Sequence, residues 1–149
     1  MTEGAAVSKT ESVGIIGLGT MGGAMAANLI DGGYQVTGFD VDEAACEKLV
    51  SLGGNVAASA NNVFRAAPIV ITSLPSPEAL ALVASNSAEL EASSAMPVVI
   101  ETSTLALADK LKAFELFQSS GIELLDCPMS GTGAQAVVRD LVVFASGDE

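Results

Sequence analysis

The sequence of 149 residues contains no histidine, no tryptophan and only two cysteines. Without histidine, the chain cannot form a Ser-His-Asp catalytic triad or a zinc site with histidine ligands, and we predict no metal site. The cysteines, Cys46 and Cys127, do not form a Cys-x-x-Cys motif. We therefore expect two reduced thiols rather than a disulfide, as is typical of a reducing compartment.

Basic residues are also scarce: 6 lysines and arginines stand against 18 aspartates and glutamates, giving a net charge of −12. Nucleic acid binding depends on clustered lysine and arginine, so we exclude nucleic acid as a partner. The same charge disfavours an anionic membrane surface. A dinucleotide stays possible, because backbone amides can hold its phosphates without basic side chains.

Long hydrophobic runs are absent, and none approaches the length of a membrane span. Residues 1–11 form a polar N-terminal tail without the apolar segment of a secretory signal. We therefore expect a cytoplasmic protein that does not associate with membranes. The remaining residues, 12–149, are enough for one domain with a substantial core.

The apolar residues that are present are mainly Ala, Val, Leu and Ile, since 50% of the chain is hydrophobic but only 4% is aromatic. Short apolar runs alternate with helical patterns, and the predicted strands are Val13–Ile16, Tyr34–Phe39, Asn55–Ala57, Ile69–Thr72, Val98–Ile100, Ile122–Leu125 and Leu141–Phe144. This alternation predicts the α/β class, with a doubly wound, mostly parallel Rossmann sheet and helices on both faces. Ligands of such sheets bind beyond the carboxyl ends of the strands.

A Gly-x-Gly-x-x-Gly segment follows the first predicted strand and opens a helical pattern, which is the context that dinucleotide binding requires. Its residues are Gly17, Leu18, Gly19, Thr20, Met21 and Gly22. Gly17 allows a tight turn, Gly19 lets a pyrophosphate approach the backbone, and Gly22 lets the helix pack close to the sheet. We predict that this segment binds a dinucleotide and that residues 12–149 form the binding domain. An ordinary glycine-rich turn is the alternative.

Asp40 ends the second predicted strand, about twenty residues after the glycines, where a carboxylate can accept hydrogen bonds from the adenosine ribose. The next residues include Asp42 and Glu43 but no lysine or arginine. Because these acids would repel a 2′-phosphate, we predict NAD as the cofactor and consider NADP less favoured. The alternative for Asp40 is a helix N-cap, which is compatible with ribose binding.

Two further strand ends offer candidate cofactor contacts. Ser73-Leu74-Pro75 forms a rigid turn whose backbone would face the crevice, although a plain strand terminator explains it equally well. The hydroxyls of Glu101-Thr102-Ser103-Thr104 could reach the nicotinamide ribose or carboxamide. Alternatively, Ser103 or Thr104 caps the helix predicted from Leu107 to Phe117.

The last strand end carries a Pro-x-Ser-Gly-x-Gly loop within Asp126–Ala134. Its consecutive backbone N–H groups and its hydroxyl could bind a carboxylate. Considered in isolation, the same loop could be a flexible connection.

Together these segments resemble the β-hydroxyacid dehydrogenase family, which includes 3-hydroxyisobutyrate dehydrogenase, tartronate semialdehyde reductase and 6-phosphogluconate dehydrogenase. The resemblance depends on four motifs, which are Gly14–Gly22, Ser73-Leu74-Pro75, Glu101-Thr102-Ser103-Thr104 and Asp126–Gly131. It implies that Leu74, Pro75 and Thr104 contact the cofactor. It also implies that Ser130, Gly131 and Thr132 hold the carboxylate end of the substrate.

The resemblance implies an oxidoreductase that exchanges hydride between NAD and a 3-hydroxyacid or its semialdehyde. Family members continue into a helical domain that supplies a catalytic lysine and the contacts between subunits of a homo-oligomer, and we expect that domain to be absent from this chain. None of Lys9, Lys48, Lys110 and Lys112 matches the lysine motif, so we assign no catalytic residue. We therefore expect cofactor binding without turnover.

The sequence departs from the family at Thr132, where a glycine is usual, and a side chain there would narrow the substrate pocket. Two other functions stay open. One is a non-catalytic nucleotide-binding or regulatory module, and the other is a different Rossmann dehydrogenase or an imine reductase.

Overall fold

The computed structural model describes residues 11–90 and 95–147 and shows a six-stranded parallel sheet in the order β3-β2-β1-β4-β5-β6. The strands are β1 Ser12–Ile16, β2 Gln35–Phe39, β3 Asn55–Val56, β4 Ile69–Thr72, β5 Val98–Glu101 and β6 Glu123–Asp126. The helices are α1 Thr20–Asp31, α2 Glu43–Ser51, α3 Ala60–Ala66, α4 Pro77–Asn86, α5 Leu107–Ser119 and α6 Gly133–Val137. The predicted doubly wound α/β fold is confirmed.

Helices cover both faces of the sheet, because neighbouring residues of one strand point to opposite sides. Ile15 packs in a buried cluster with residues of α1, α2 and β2, whereas Ile16 joins a second cluster with residues of α3, α4 and α5. In the second cluster, Phe64 and Phe117 pack edge to face with ring centroids 5.9 Å apart. The strands therefore carry continuous apolar runs rather than an alternating pattern.

Helix starts follow the capping residues in the sequence. Asp42, Ser59 and Ser76 each accept a hydrogen bond from the first turn of α2, α3 and α4, respectively. Pro77 occupies the first turn of α4. A backbone N–H at this position has no partner within the helix, so proline loses no hydrogen bond there. These caps fix where each helix begins relative to the preceding strand end.

The prediction of the last strand, Leu141–Phe144, was wrong in the length of the strand and in the sheet to which it belongs. The structure has only β8, Val142–Val143, which pairs antiparallel with β7, Met129–Ser130, in a separate two-stranded sheet. Val142, Val143 and Phe144 are 56%, 51% and 60% exposed, so this apolar segment is not part of the core. The Pro-x-Ser-Gly-x-Gly loop accordingly contains ordered structure, namely β7 and the start of α6.

The predicted polar tail falls on residues 1–11, of which residues 1–10 lie outside the described part of the chain. Within the described residues, the helices are too short or too polar to cross a bilayer.

Candidate functional site

The turn after β1 can be formed only by glycine at two positions. Gly17 has φ +94°, and a Cβ there would collide with the carbonyl oxygen of Ser73. A Cβ at Gly22 would collide with the carbonyl oxygen of Gly17, because the first turn of α1 lies directly on the loop. The structure thus gives Gly17 the tight turn and Gly22 the close packing that the sequence predicted.

Gly19 differs from both, because a Cβ there would meet no described atom within 4 Å. It is the N-cap residue of α1, and no described side chain caps that helix. The first turn of α1 therefore presents backbone N–H groups and the positive end of the helix dipole to an open space. This is the geometry expected of a phosphate site.

Asp40, at the end of β2, lies against the glycine turn. Its carboxylate accepts hydrogen bonds from the backbone N–H of Leu18 at 2.6 Å and from that of Asp42 at 2.8 Å. The N-cap of α2 is Asp42, not Asp40. The alternative interpretation of Asp40 as the cap is therefore wrong, and the carboxylate instead joins the first two strand ends.

A cavity of about 540 Å³ opens at the carboxyl edge of the sheet beside this turn. It brings together most of the predicted cofactor residues, namely Gly17, Gly19, Thr20, Met21, Asp40, Leu74 and Pro75. Leu18 and Gly22 belong to the same turn but do not line the cavity. Leu18 is only 5% exposed, and its N–H is bonded to Asp40. Thr104 is exposed at the end of β5 and does not line this cavity.

One wall of the cavity was missed by the sequence analysis. It is the face of α4 formed by Ala79, Leu82, Val83 and Asn86. Their spacing of three, four and seven residues marks one helix face, so a signal was present. The sequence did not show that this face borders the ligand crevice, because that depends on how α4 packs on the sheet.

The Ser103 hydroxyl accepts a hydrogen bond from the backbone N–H of Leu74 at 2.9 Å. It therefore connects the ends of β4 and β5. The N-cap of α5 is Ala106, which makes no side-chain capping bond, so the alternative interpretation of Ser103 or Thr104 as the cap of this helix is wrong.

The predicted substrate residues lie in the β7–α6 segment. Ser130 is exposed and pairs with Val142, Gly131 has φ +146°, and Thr132 is the N-cap of α6. The Thr132 hydroxyl accepts from the N–H of Gln135, whose side chain in turn accepts from the N–H of Thr132 at 2.9 Å. The Thr132 hydroxyl caps α6, and the expectation that its side chain narrows the substrate pocket stays a prediction.

This segment lies beside the cofactor loop. A Cβ at Gly133 would overlap the methyl group of Thr20, so the two loops are in direct contact. The Asn28 side chain also donates to the carbonyl of Ala136 at 2.8 Å, which holds α6 against α1. The predicted substrate and cofactor segments are therefore neighbours at one edge of the sheet.

A buried charged cluster lies at the ends of β5 and β6. Lys110, on α5, forms ion pairs with Glu101 and Asp126, and the Lys110 and Glu101 residues are 6% and 0% exposed. Burial alone would lower the pKa of Lys110, but hydrogen bonds to Asp126 and Glu101 outweigh burial and raise the pKa above its ordinary value. Lys110 is therefore protonated at neutral pH. Lys110 lies with Ala113 and Phe117 on the buried face of α5. This helical spacing is a sequence signal for a buried lysine, and the sequence analysis missed it.

Both cysteines are free thiols, and burial raises the pKa of the Cys127 thiol beside this cluster. A larger hollow, of about 620 Å³, lies at the opposite edge of the sheet, next to Pro68 and Pro97. It is remote from the glycine turn, and none of the predicted site residues lines it.

A family model described as the NAD binding domain of 6-phosphogluconate dehydrogenase matches residues 12–149. The chain belongs to the β-hydroxyacid dehydrogenase family. The NAD-dependent L-serine dehydrogenase of Pseudomonas aeruginosa is 32% identical over 93% of this chain and 47% of its own length. The 3-hydroxyisobutyrate dehydrogenase of the same organism is 35% identical over 88% of this chain and 45% of its own length.

The structure agrees with this membership. The 3-hydroxyisobutyrate dehydrogenase of Mycobacterium tuberculosis, solved with L-serine, matches with a TM-score of 0.86 at 30% identity, over 95% of this chain and 48% of that chain. The family is one of oxidoreductases with a nicotinamide cofactor-binding domain. This member spans about half the length of the curated relatives that it matches.

Proposed function

We propose that this chain binds NAD at the turn after β1, as the cofactor domain of an oxidoreductase acting on a 3-hydroxyacid or its semialdehyde. The observation that carries the proposal is the 540 Å³ cavity, which joins the glycine turn, Asp40 and the Leu74-Pro75 turn at one edge of the sheet. When bound, the nicotinamide supplies the hydride chemistry, and the protein supplies position and electrostatics.

The diphosphate would lie over Gly19, in the open space before α1, where the N–H groups of the first turn can donate to it. The adenosine ribose would lie at Asp40. The apolar α4 wall, with Leu82 61% exposed, would then face the adenine. This orientation directs the nicotinamide towards the ends of β4 and β5, near Leu74, Pro75 and Thr104.

NAD is favoured over NADP by the charges beside the ribose position. Asp40 and Asp42 are adjacent, with the Asp40 carboxylate bonded to the Asp42 N–H, and Glu43 follows at the start of α2. No lysine or arginine occurs between Asp40 and Glu47. A 2′-phosphate would meet like charges without a cation, which weakens binding.

For the substrate, we propose that Ser130, Gly131 and Thr132 hold the carboxylate end. Because the Thr132 side chain and N–H are engaged with Gln135, the Ser130 hydroxyl is the most available polar group of the three. The names of the relatives support the substrate class, since L-serine and 3-hydroxyisobutyrate are both β-hydroxyacids.

Within residues 11–90 and 95–147, no lysine lines the cavity, so we propose that the chain binds the cofactor without turnover. Lys110 is buried in ion pairs with its pKa raised, and Lys112 is exposed on the far side of the same helix. The two reduced thiols and the charge are consistent with a cytoplasmic location.

The test is a titration of the chain with NADH, followed by nicotinamide fluorescence. Gly19→Ala fills the open space over the turn and should weaken NADH binding by at least about tenfold, while leaving the unfolding free energy within about 1 kcal/mol. Gly32→Ala, at the other end of α1, has room for its Cβ at φ −76° and is the matched control. Equal NADH affinity of both variants and the wild type would contradict the proposal.

A further inference from the structure

We propose that Lys110 is a positioning residue for the nicotinamide end of the cofactor site. It would act by holding the ends of β4, β5 and β6 in register through its two carboxylate partners. The inference rests on the proposed NAD binding, but the experiment below also has a readout that needs no cofactor.

The first contact joins α5 to two strand ends. The Lys110 ammonium donates to the Asp126 carboxylate at 2.7 Å and pairs with the carboxylate of Glu101. Glu101 is the last residue of β5, and Asp126 is the last residue of β6. Two carboxylates at adjacent strand ends repel each other, and the Lys110 ammonium between them offsets that repulsion.

The second contact runs from Glu101 to the cofactor cavity. The Glu101 carboxylate accepts from the backbone N–H of Ser103 at 2.9 Å, and the Ser103 hydroxyl accepts from the N–H of Leu74 at 2.9 Å. Leu74 and Pro75 line the cavity. Lys110 is therefore linked to the cavity wall through Glu101 and Ser103, without touching the cavity itself.

The third contact leads to the β7–α6 segment. Asp126 pairs through its backbone with Ser146, and the next residue, Cys127, donates its N–H to the carbonyl of Glu101 at 2.8 Å. The segment that carries Ser130 therefore starts from the same cluster. The buried Lys110 ammonium is thus linked through its carboxylate partners both to the cavity wall and to the start of the predicted substrate segment.

The experiment compares wild type with Lys110→Met, which removes the charge but keeps an unbranched side chain, and with Lys112→Met as the exposed control two residues away. Two ligands are titrated, NADH and ADP-ribose, because ADP-ribose lacks the nicotinamide. Amide hydrogen exchange of Leu74 is measured without ligand, with the Leu18 amide at the adenosine side as the internal reference.

In Lys110→Met we expect the ratio of NADH to ADP-ribose affinity to fall by at least about fivefold, because the Leu74-Pro75 wall is no longer held in place through Glu101 and Ser103. We also expect faster exchange of Leu74 relative to Leu18. Lys112→Met should match the wild type in both. An unchanged affinity ratio overturns the proposal, whatever the Leu74 amide does, because the cluster would then be merely structural.

If Lys110→Met does not fold, Glu101→Gln takes its place, since it leaves Lys110 paired with the half-buried Asp126. The same drop in affinity ratio is expected, and an unchanged ratio again overturns the proposal. If the wild type binds neither ligand, the proposed NAD binding is refuted. In that case the amide exchange of Leu74 is the only test of whether Lys110 holds the end of β4 in place. Equal exchange of Leu74 in the variant and in the wild type then overturns the proposal.

Discussion

Two parts of the carboxyl edge are held together by different means. Around the end of β1, backbone atoms are in close contact, and Gly17 and Gly22 leave no space for a side chain. Around the ends of β5 and β6, the contacts are between charged side chains, with Lys110 between Glu101 and Asp126. The glycine contacts of the first part depend on shape, whereas the second part depends on charge.

The comparison also explains where each part is sensitive to mutation. A steric contact between backbone atoms cannot be relieved by a rotamer change, so any added atom displaces a helix or a strand. An ion cluster tolerates small shifts but fails when one charge is lost, because the partner charge is left buried.

The largest effect is expected at Gly22. Gly22→Ala places a Cβ against the Gly17 carbonyl, so α1 must move away from the turn, and we expect a loss of about 3 kcal/mol or more in unfolding free energy. Urea unfolding followed by circular dichroism measures it. Gly32→Ala, on the same helix, should change stability by less than about 1 kcal/mol. A Gly22→Ala variant as stable as Gly32→Ala would show that α1 is not in close contact with the loop.

The next effect is the pH dependence of the charged cluster. The pKa of Lys110 is raised in the folded state, so its contribution to stability is fully present below its ordinary value of 10.5 and is lost as pH rises through the folded pKa. At pH 7 we expect Lys110→Met to be about 3 kcal/mol less stable than wild type.

This gap should narrow above about pH 10.5, and urea unfolding at several pH values checks it. The pKa of Cys127 is also raised, and the Lys110 charge acts on it, so the two proteins are compared in a Cys127→Ala background. A gap that stays constant to pH 11.5 would mean that the lysine charge is not what stabilises the cluster.

A smaller effect concerns the substrate segment. Thr132→Ala removes the cap of α6 and should lower the unfolding free energy by about 1 kcal/mol. Thr132→Ser keeps the hydroxyl and should lose less than half of that. If both variants are equally destabilised, the capping bond is not the role of Thr132, and its methyl group is the part that matters.

The sequence was sufficient for features that depend on neighbouring residues. The conformations at Gly17 and Gly22 follow from local backbone requirements, and the order of apolar runs was enough to predict the Rossmann sheet. Asp40 was correctly expected near the turn because consecutive strands of this fold are adjacent.

Features that depend on distant residues were not predictable in the same way. The link from Lys110 to Asp126 spans two elements, and nothing local marks which strand end a helix residue will reach. The predicted strand Leu141–Phe144 was expected in the main sheet, whereas Val142–Val143 pairs with Met129–Ser130. The pairing partner of a two-residue strand leaves no periodic signal in the sequence. The position of the α4 wall beside the cavity depends on how the helix is oriented on the sheet, and sequence periodicity does not predict that orientation.

We propose that the glycine turn and Asp40 bind NAD rather than NADP. Calorimetric titration of the chain with NADH and with NADPH, at the same ionic strength, tests it most directly. We expect NADH to bind at least about tenfold more tightly, because the acids at Asp40, Asp42 and Glu43 repel a 2′-phosphate. Equal or tighter binding of NADPH, or no heat with either cofactor, would contradict the account.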